Sequence, residues 1–231
     1  MNRYGQYCPV ARAVEILGDR WTLLIVRDML GGAQHFNELE RGLPGIPKAL
    51  LSDRLRRLQK TGLVERHAES AGRRVRYTLT QAGEELRPLM HMLIHWGAKW
   101  AFGEPEESEL NPVLLMWWMR GRVRADRLPD ERVVVEFDFR GERQGPFWLV
   151  LERADTSVCL THPGFDVDVR VRAGLREMLK VWLGSMEYAD ALREGVVEIE
   201  GTPSLARAFP RWFALSPTAE TVRAVTRAAG A

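Results

Sequence analysis

Residues 36–60 read FNELERGLPGIPKALLSDRLRRLQK, and this stretch decides how the rest of the chain is parsed. Phe36 to Arg41 has the spacing of a short helix, and the Leu43-Pro44-Gly45 turn closes it. A second helix is expected from Pro47, whose missing N–H has no partner in a first helical turn anyway, to Lys60, with Gly62 as its stop. Leu51, Leu55 and Leu58, with Leu63 beyond them, form one apolar stripe. The opposite face carries Lys48, Ser52, Arg56 and Lys60 at intervals of four, so one side of the helix packs and the other meets polar surroundings.

Upstream, Val10–Leu17 reads as a helix ending near Gly18, and Trp21–Leu30 as a second, stopped by Gly31 and Gly32. Downstream, Leu63–His67 and Val75–Leu79 are β-prone runs joined by Glu69-Ser70-Ala71-Gly72, hence a hairpin. Val75, Tyr77 and Leu79 alternate with Arg74 and Arg76. Thr80 is then expected to cap one long helix in which Leu86, Leu89, Leu93, Trp96 and Trp100 recur at heptad-like spacing, a seam suited to a partner helix. Pro88 lies near its first turns, where it would bend it.

Helix, turn, helix and hairpin in this order make a winged helix-turn-helix. A helix fits the major groove of duplex DNA, and a face of Lys, Ser and Arg reaches base edges and phosphates. Guanidinium groups on a hairpin suit phosphates or a narrow minor groove. The candidate DNA-binding residues are Lys48, Ser52, Asp53, Arg56, Arg73, Arg74 and Arg76, and the candidate dimer interface is Leu86, Leu89, Leu93, Trp96 and Trp100. Residues 1–103 hold 16 Lys and Arg against 10 Asp and Glu, and the remainder 17 against 21, of 33 and 31 in all. A basic half joined to an acidic half fits a DNA-binding module fused to something else.

The acidic, proline-bearing stretch 104–112 marks a linker. Beyond it come a helix from Val113 to about Arg124, strand-like runs at Arg132–Phe139, Phe147–Glu152, Ser157–Thr161 and Asp166–Arg172, helices at Ala173–Leu183 and Glu187–Arg193, a strand at Val196–Glu200 and a helix at Ser204–Phe213. Strands followed by helices indicate an α+β domain on a mainly antiparallel sheet. The domain expectation is therefore 1–103, the linker, 113–215, and a C-terminal tail 216–231.

Several function classes find no support. The start has no apolar leader and no apolar run approaches a bilayer's thickness, so a cytoplasmic protein is expected. Cys8 and Cys159 are too few for a disulfide framework. His91 and His95 stand four apart but offer only two ligands, so no metal is expected, and no cofactor either. P-loop, GxGxxG and GxSxG motifs are absent from the sequence, and nothing resembles an assembled active site, so no catalytic residue and no enzyme activity are expected.

The stretch CPVARAVEILGDRWTLLIVRDML, then FNELERGLPGI, LLSDRLRRLQKTGLVER, RVRYTLTQAGEEL and the Trp96-Gly97 pair resemble the HxlR family of bacterial winged-helix regulators, from Cys8 to Trp100 nearly without gaps. The resemblance implies a homodimer, with the N-terminal segment and the helix ending at Trp100 in the interface and the helix from Pro47 in the groove. Cys8 occupies a position where relatives carry a cysteine that some use to sense electrophiles or oxidants, so it is the redox candidate; Arg3, Arg12 and the adjacent helix start would favour its thiolate. The family commonly has Ser or Thr, then Pro, where this chain reads Ile46-Pro47-Lys48-Ala49. The missing side-chain cap should weaken the helix start by about 1 kcal/mol and changes the groups that meet DNA.

In the second half, DVDVRVRAGLREMLKVWLG and REGVVEIEGTPSLARAFPRWF resemble the sterol carrier protein-like domain, more loosely, over roughly residues 111–213. That likeness implies a five-stranded α+β fold with an apolar tunnel for a lipid or acyl group. Trp117, Trp118, Phe147, Trp148, Trp182 and Trp212 are the candidates to line it, although the same periodicity serves a plain core. The fold class expected is thus α+β in two domains. The function expected is a dimeric regulator on a pseudo-palindromic operator, open to modulation by an apolar ligand or by Cys8. The alternative is a lipid carrier whose N-terminal domain serves mainly for dimerisation.

Overall fold

The computed structural model describes residues 4–68, 75–141 and 145–229. The chain divides into two compact units, Met1–Ile94 and His95–Ala231.

In the first unit, α1 (Pro9–Leu17), α2 (Thr22–Leu30), α3 (Phe36–Gly42) and α4 (Lys48–Lys60) precede a hairpin of β1 (Val64–Ala68) and β2 (Val75–Leu79). Its core is Ile25, Val26, Met29, Leu39, Leu43, Ile46 and the stripe Leu51, Leu55 and Leu58, all buried. Pro47 is the residue before α4, not its first member: its backbone is extended (φ −64°, ψ 137°) and the helix starts at Lys48. Proline's fixed φ serves either position, and the tight turn with Gly45 at φ 86° needs the extended one. No side chain caps α4.

The single long helix expected after Thr80 is two helices. Thr80 Oγ1 accepts from Gly83 N (3.2 Å) to cap α5 (Gln81–Glu84), and the chain then breaks before α6 (Arg87–Trp100). Pro88 explains the break: its ring would meet the Glu84 carbonyl and it has no N–H to give back. Leu86 falls at the junction and packs, partly buried, on the unit's own core. Leu89, Met92, Leu93, Trp96 and Trp100 remain as an exposed row.

The second unit is built on a sheet of order β5-β4-β3-β6-β7, with β3 (Val133–Arg140), β4 (Phe147–Leu151), β5 (Thr156–Cys159), β6 (Val169–Gly174) and β7 (Val197–Gly201). Three of the pairings are antiparallel and the central one, β3 with β6, is parallel. Val135, Phe137, Phe139, Leu149, Val169 and Val171 point to a core closed by α7 (Pro112–Arg120), α8 (Leu175–Leu183), α9 (Tyr188–Arg193) and α10 (Pro203–Ala208), with a 3-10 turn at Phe209–Arg211. The other face is a charge ladder in which Glu136 meets Arg170 and Arg172 meets Glu200, each at 2.5 Å.

β6 starts later than the alternation from Asp166 suggests, because the Asp168 carboxylate turns back to accept from Val134 N (2.8 Å). Residues 104–107 do not run free: Lys180 pairs with Glu104 (2.6 Å) and Arg176 with Glu107 (2.7 Å), holding the segment to α8. The stretch expected as a tail contains α11 (Ala219–Ala229), which buries Ala219 and Val222 and sets Arg223 against Glu187 at 2.9 Å.

Candidate nucleic-acid interface

The position of α4 follows from both of its faces. Its leucines are fixed in the core, and two of its arginines hold its flank: Arg57 pairs with Asp19, and Arg54 donates to the Arg20 carbonyl at 3.3 Å. Their side chains are 25% and 18% exposed, whereas Arg56, between them, is 69% exposed. The difference assigns Arg54 and Arg57 to the α1–α2 corner and leaves Arg56 to solvent. Ser52 is half-buried, and Asp53 is exposed, with Arg54 at 3.3 Å and Arg56 at 3.7 Å. Lys48 is paired with Glu40 of α3 at 3.2 Å, an ion pair across the turn.

The support helix α3 lies close to α2 because Gly42 has no side chain: a Cβ there would fall 2.4 Å from the Asp28 Oδ2 atom. Burial pushes the Asp28 carboxyl above the usual carboxylate range, while the charge and hydrogen bond of Arg27 pull the other way. At its other end α3 is fixed by Glu38, whose carboxylate accepts from Gln34 N (2.9 Å) and His35 N (3.0 Å).

The hairpin is joined to this helix pair. Tyr77 N donates to the Gln34 carbonyl (2.7 Å) and the His35 ring Nδ1 to the Val75 carbonyl (3.1 Å), which sets the base of the wing relative to α3. Arg76 is exposed and lies across from His67. Arg73 and Arg74 lie outside the described residues. The structure thus places Lys48, Ser52, Asp53 and Arg56 on one helix face and Arg76 on the wing. Ala49, exposed on the same helix, drew no attention in the sequence because a methyl group carries no charge.

The remaining candidates lie elsewhere. Cys8 is the residue before α1 and is half-buried, with exposed Val10 and Val14 beyond it. Arg3 lies outside the described residues. Phe147, Trp148, Trp182 and Trp212 are buried, the first and last two inside the main core, and Trp118 packs against that core. Trp117 stacks on Arg120 at 4.9 Å. Two surface cavities of about 320 and 490 Å³ occur in the second unit, and neither is lined by any of these aromatics. Among the described residues no group of three or more His, Cys, Asp or Glu could hold a metal ion, and no helix is long and apolar enough to cross a membrane.

A support helix, an adjoining helix with one exposed cationic face and a two-stranded wing define a winged-helix DNA-binding protein. Residues 16–105 match the HxlR-like helix-turn-helix family. The chain is 37% identical over 102 residues to the uncharacterized HTH-type transcriptional regulator YvaP of Bacillus subtilis, covering 43% of this chain and 94% of that relative. It is 45% identical over 89 residues to the uncharacterized HTH-type transcriptional regulator Rv3095 of Mycobacterium tuberculosis, covering 38% of this chain and 56% of that relative. A crystal structure of PA1607, a putative transcription factor, is 34% identical over 46% of this chain and 75% of that one, with a TM-score of 0.43. The chain belongs to the HxlR-like family and is a transcriptional regulator of the helix-turn-helix type. The family match ends at residue 105, before the sheet of the second unit.

Proposed function

We propose that the protein is a cytoplasmic homodimer that occupies a pseudo-palindromic operator, with α4 of each protomer in a major groove and the wing on the flanking backbone. The observation that carries this reading is the division of α4 into a buried leucine stripe, two internally held arginines and an outward face of Ser52, Asp53 and Arg56. Base-edge contacts carry sequence information, and phosphate contacts carry affinity that depends on salt. Arg56→Ala or Ser52→Ala should therefore cost about 1 to 3 kcal/mol on a duplex selected by the wild-type protein and much less on random duplex. Arg76, Arg73 and Arg74 act on phosphates in this reading. Fluorescence anisotropy on both duplexes is the test, and a wild-type protein unable to tell them apart at physiological salt would remove the proposal.

The dimer in this reading forms through Leu89, Leu93, Trp96 and Trp100, with the exposed Tyr7, Val10 and Val14 of the N-terminal segment as the second contribution. Cys8, beside that segment, is where an oxidant would act. Cys8→Ser should keep operator binding but lose its release by diamide, and Cys159→Ser should respond as wild type. Equal release of wild type and Cys8→Ser would take Cys8 out of the account. The second unit is where a small effector would bind, its sterol carrier protein-like kinship being part of this proposal. The carrier alternative gains no specific observation, since Phe147, Trp182 and Trp212 are buried in the core, Trp212 against Phe209, and Trp118 packs on it.

A further inference from the structure

We infer that Ala49 is a base-reading residue, and that each half of the operator presents a thymine 5-methyl group to it in the major groove. The inference rests on the proposed placement of α4 in that groove and deepens it. Ala49 stands three, four and seven positions before Ser52, Asp53 and Arg56, so the helical repeat puts its methyl group among their side chains and not at the margin of the face. It is exposed, as is Pro47 before it, while Leu50 and Leu51 turn inward. Lys48, the nearest cation, is drawn to Glu40 at 3.2 Å. The first turn of α4 therefore offers the groove an apolar surface within an otherwise polar face.

N-terminal residues of a recognition helix are those that meet base edges. A methyl group there neither donates nor accepts, so it gains only by shedding water against another apolar group. The major groove has one such group, the C5 methyl of thymine; the other bases present donors, acceptors and small C–H edges there, but no methyl group. Guanine, adenine and unmodified cytosine opposite Ala49 offer it no methyl group to cover.

The test uses the full-length protein and a duplex selected by it from a randomised pool. Each thymine is replaced singly by uracil, which removes the methyl group and alters no hydrogen-bonding atom. Binding of wild type should weaken about fourfold at one thymine in each half-site, the value of one buried methyl group, and be indifferent elsewhere on the α4 side. Restoring the methyl as 5-methylcytosine, paired with guanine at that position, should recover affinity relative to unmethylated cytosine. Ala49→Gly, checked for unchanged helix content by circular dichroism, should bind the thymine and uracil duplexes alike. A specific duplex with no uracil-sensitive thymine would overturn the inference and leave the DNA-reading proposal standing, and it needs no variant. Equal uracil sensitivity in Ala49→Gly would also overturn it, because another group would then be the reader. If no specific duplex emerges from selection, both fall together.

Discussion

A protein carrying Leu93→Glu and Trp96→Glu together should be a folded monomer. Both side chains lie on the open row of α6, 40% and 60% exposed, so neither is needed by the core of its own chain. In the proposed dimer the same positions are covered, and the four carboxylates introduced would be buried without cations to meet them. An unpaired buried charge costs several kcal/mol, and at about 1.4 kcal/mol per tenfold the dissociation constant should rise by at least about a thousandfold. Sedimentation at micromolar concentration reads the change of mass, and circular dichroism verifies that the helices persist. Operator affinity should fall with it, since one recognition helix holds only a half-site. A double variant sedimenting as the wild-type species would place the interface on another surface.

Phe209→Ala should cost the second unit about 3 to 5 kcal/mol, a large share of the roughly 5 to 15 kcal/mol that holds a domain together. The ring is 0% exposed and is the meeting point of the sheet and the closing segment: Phe137, Trp212 and Phe213 lie at 6.0, 5.8 and 5.4 Å between ring centroids. Its loss leaves a cavity that none of these rigid neighbours can fill without shifting the strand that carries Phe137. Calorimetry should show one transition lowered by about 10 to 20 °C and the transition of the first unit unmoved, while Phe209→Leu, which keeps most of the volume, should lose much less. Binding of the selected duplex at low temperature should survive. Loss of binding while the first unit is folded would mean that DNA reading needs the second unit as well.

The winged helix was legible because its signals agree with one another. Leu51, Leu55 and Leu58 fix the inner face of α4, Gly45 and Pro47 fix the turn before it, and the hairpin alternates in step. The break before α6 was obscured by the heptad-like row, which continues smoothly through Leu86 although the backbone does not; Pro88 marked the place. The parallel pairing of β3 with β6 could not be read, since Val135, Phe137 and Val169, Val171 alternate identically in either direction. α11 has no large apolar residue, only alanines with Val222 and Val225, and its hold on Glu187 is a tertiary contact that a local pattern does not contain. Within the candidate site, the spacing of four on the face opposite the leucines singled out Arg56 from Arg54 and Arg57, but what those two do instead, pairing with Asp19, is a tertiary contact only the fold shows.

The central parallel pair also orders events during synthesis. In the wing, Ala68 meets Val75 almost as soon as both exist, whereas Glu136 of β3 waits for Arg170, 34 positions later, before the middle of the second sheet can close. Pairings of such separation form slowly. A chain interrupted between β5 and β6 would therefore present a complete DNA-binding unit attached to a three-stranded half-sheet whose β3 edge is open, a template for unwanted strand addition. Frameshifts in that interval should yield a protein harmful through aggregation as well as through the missing domain.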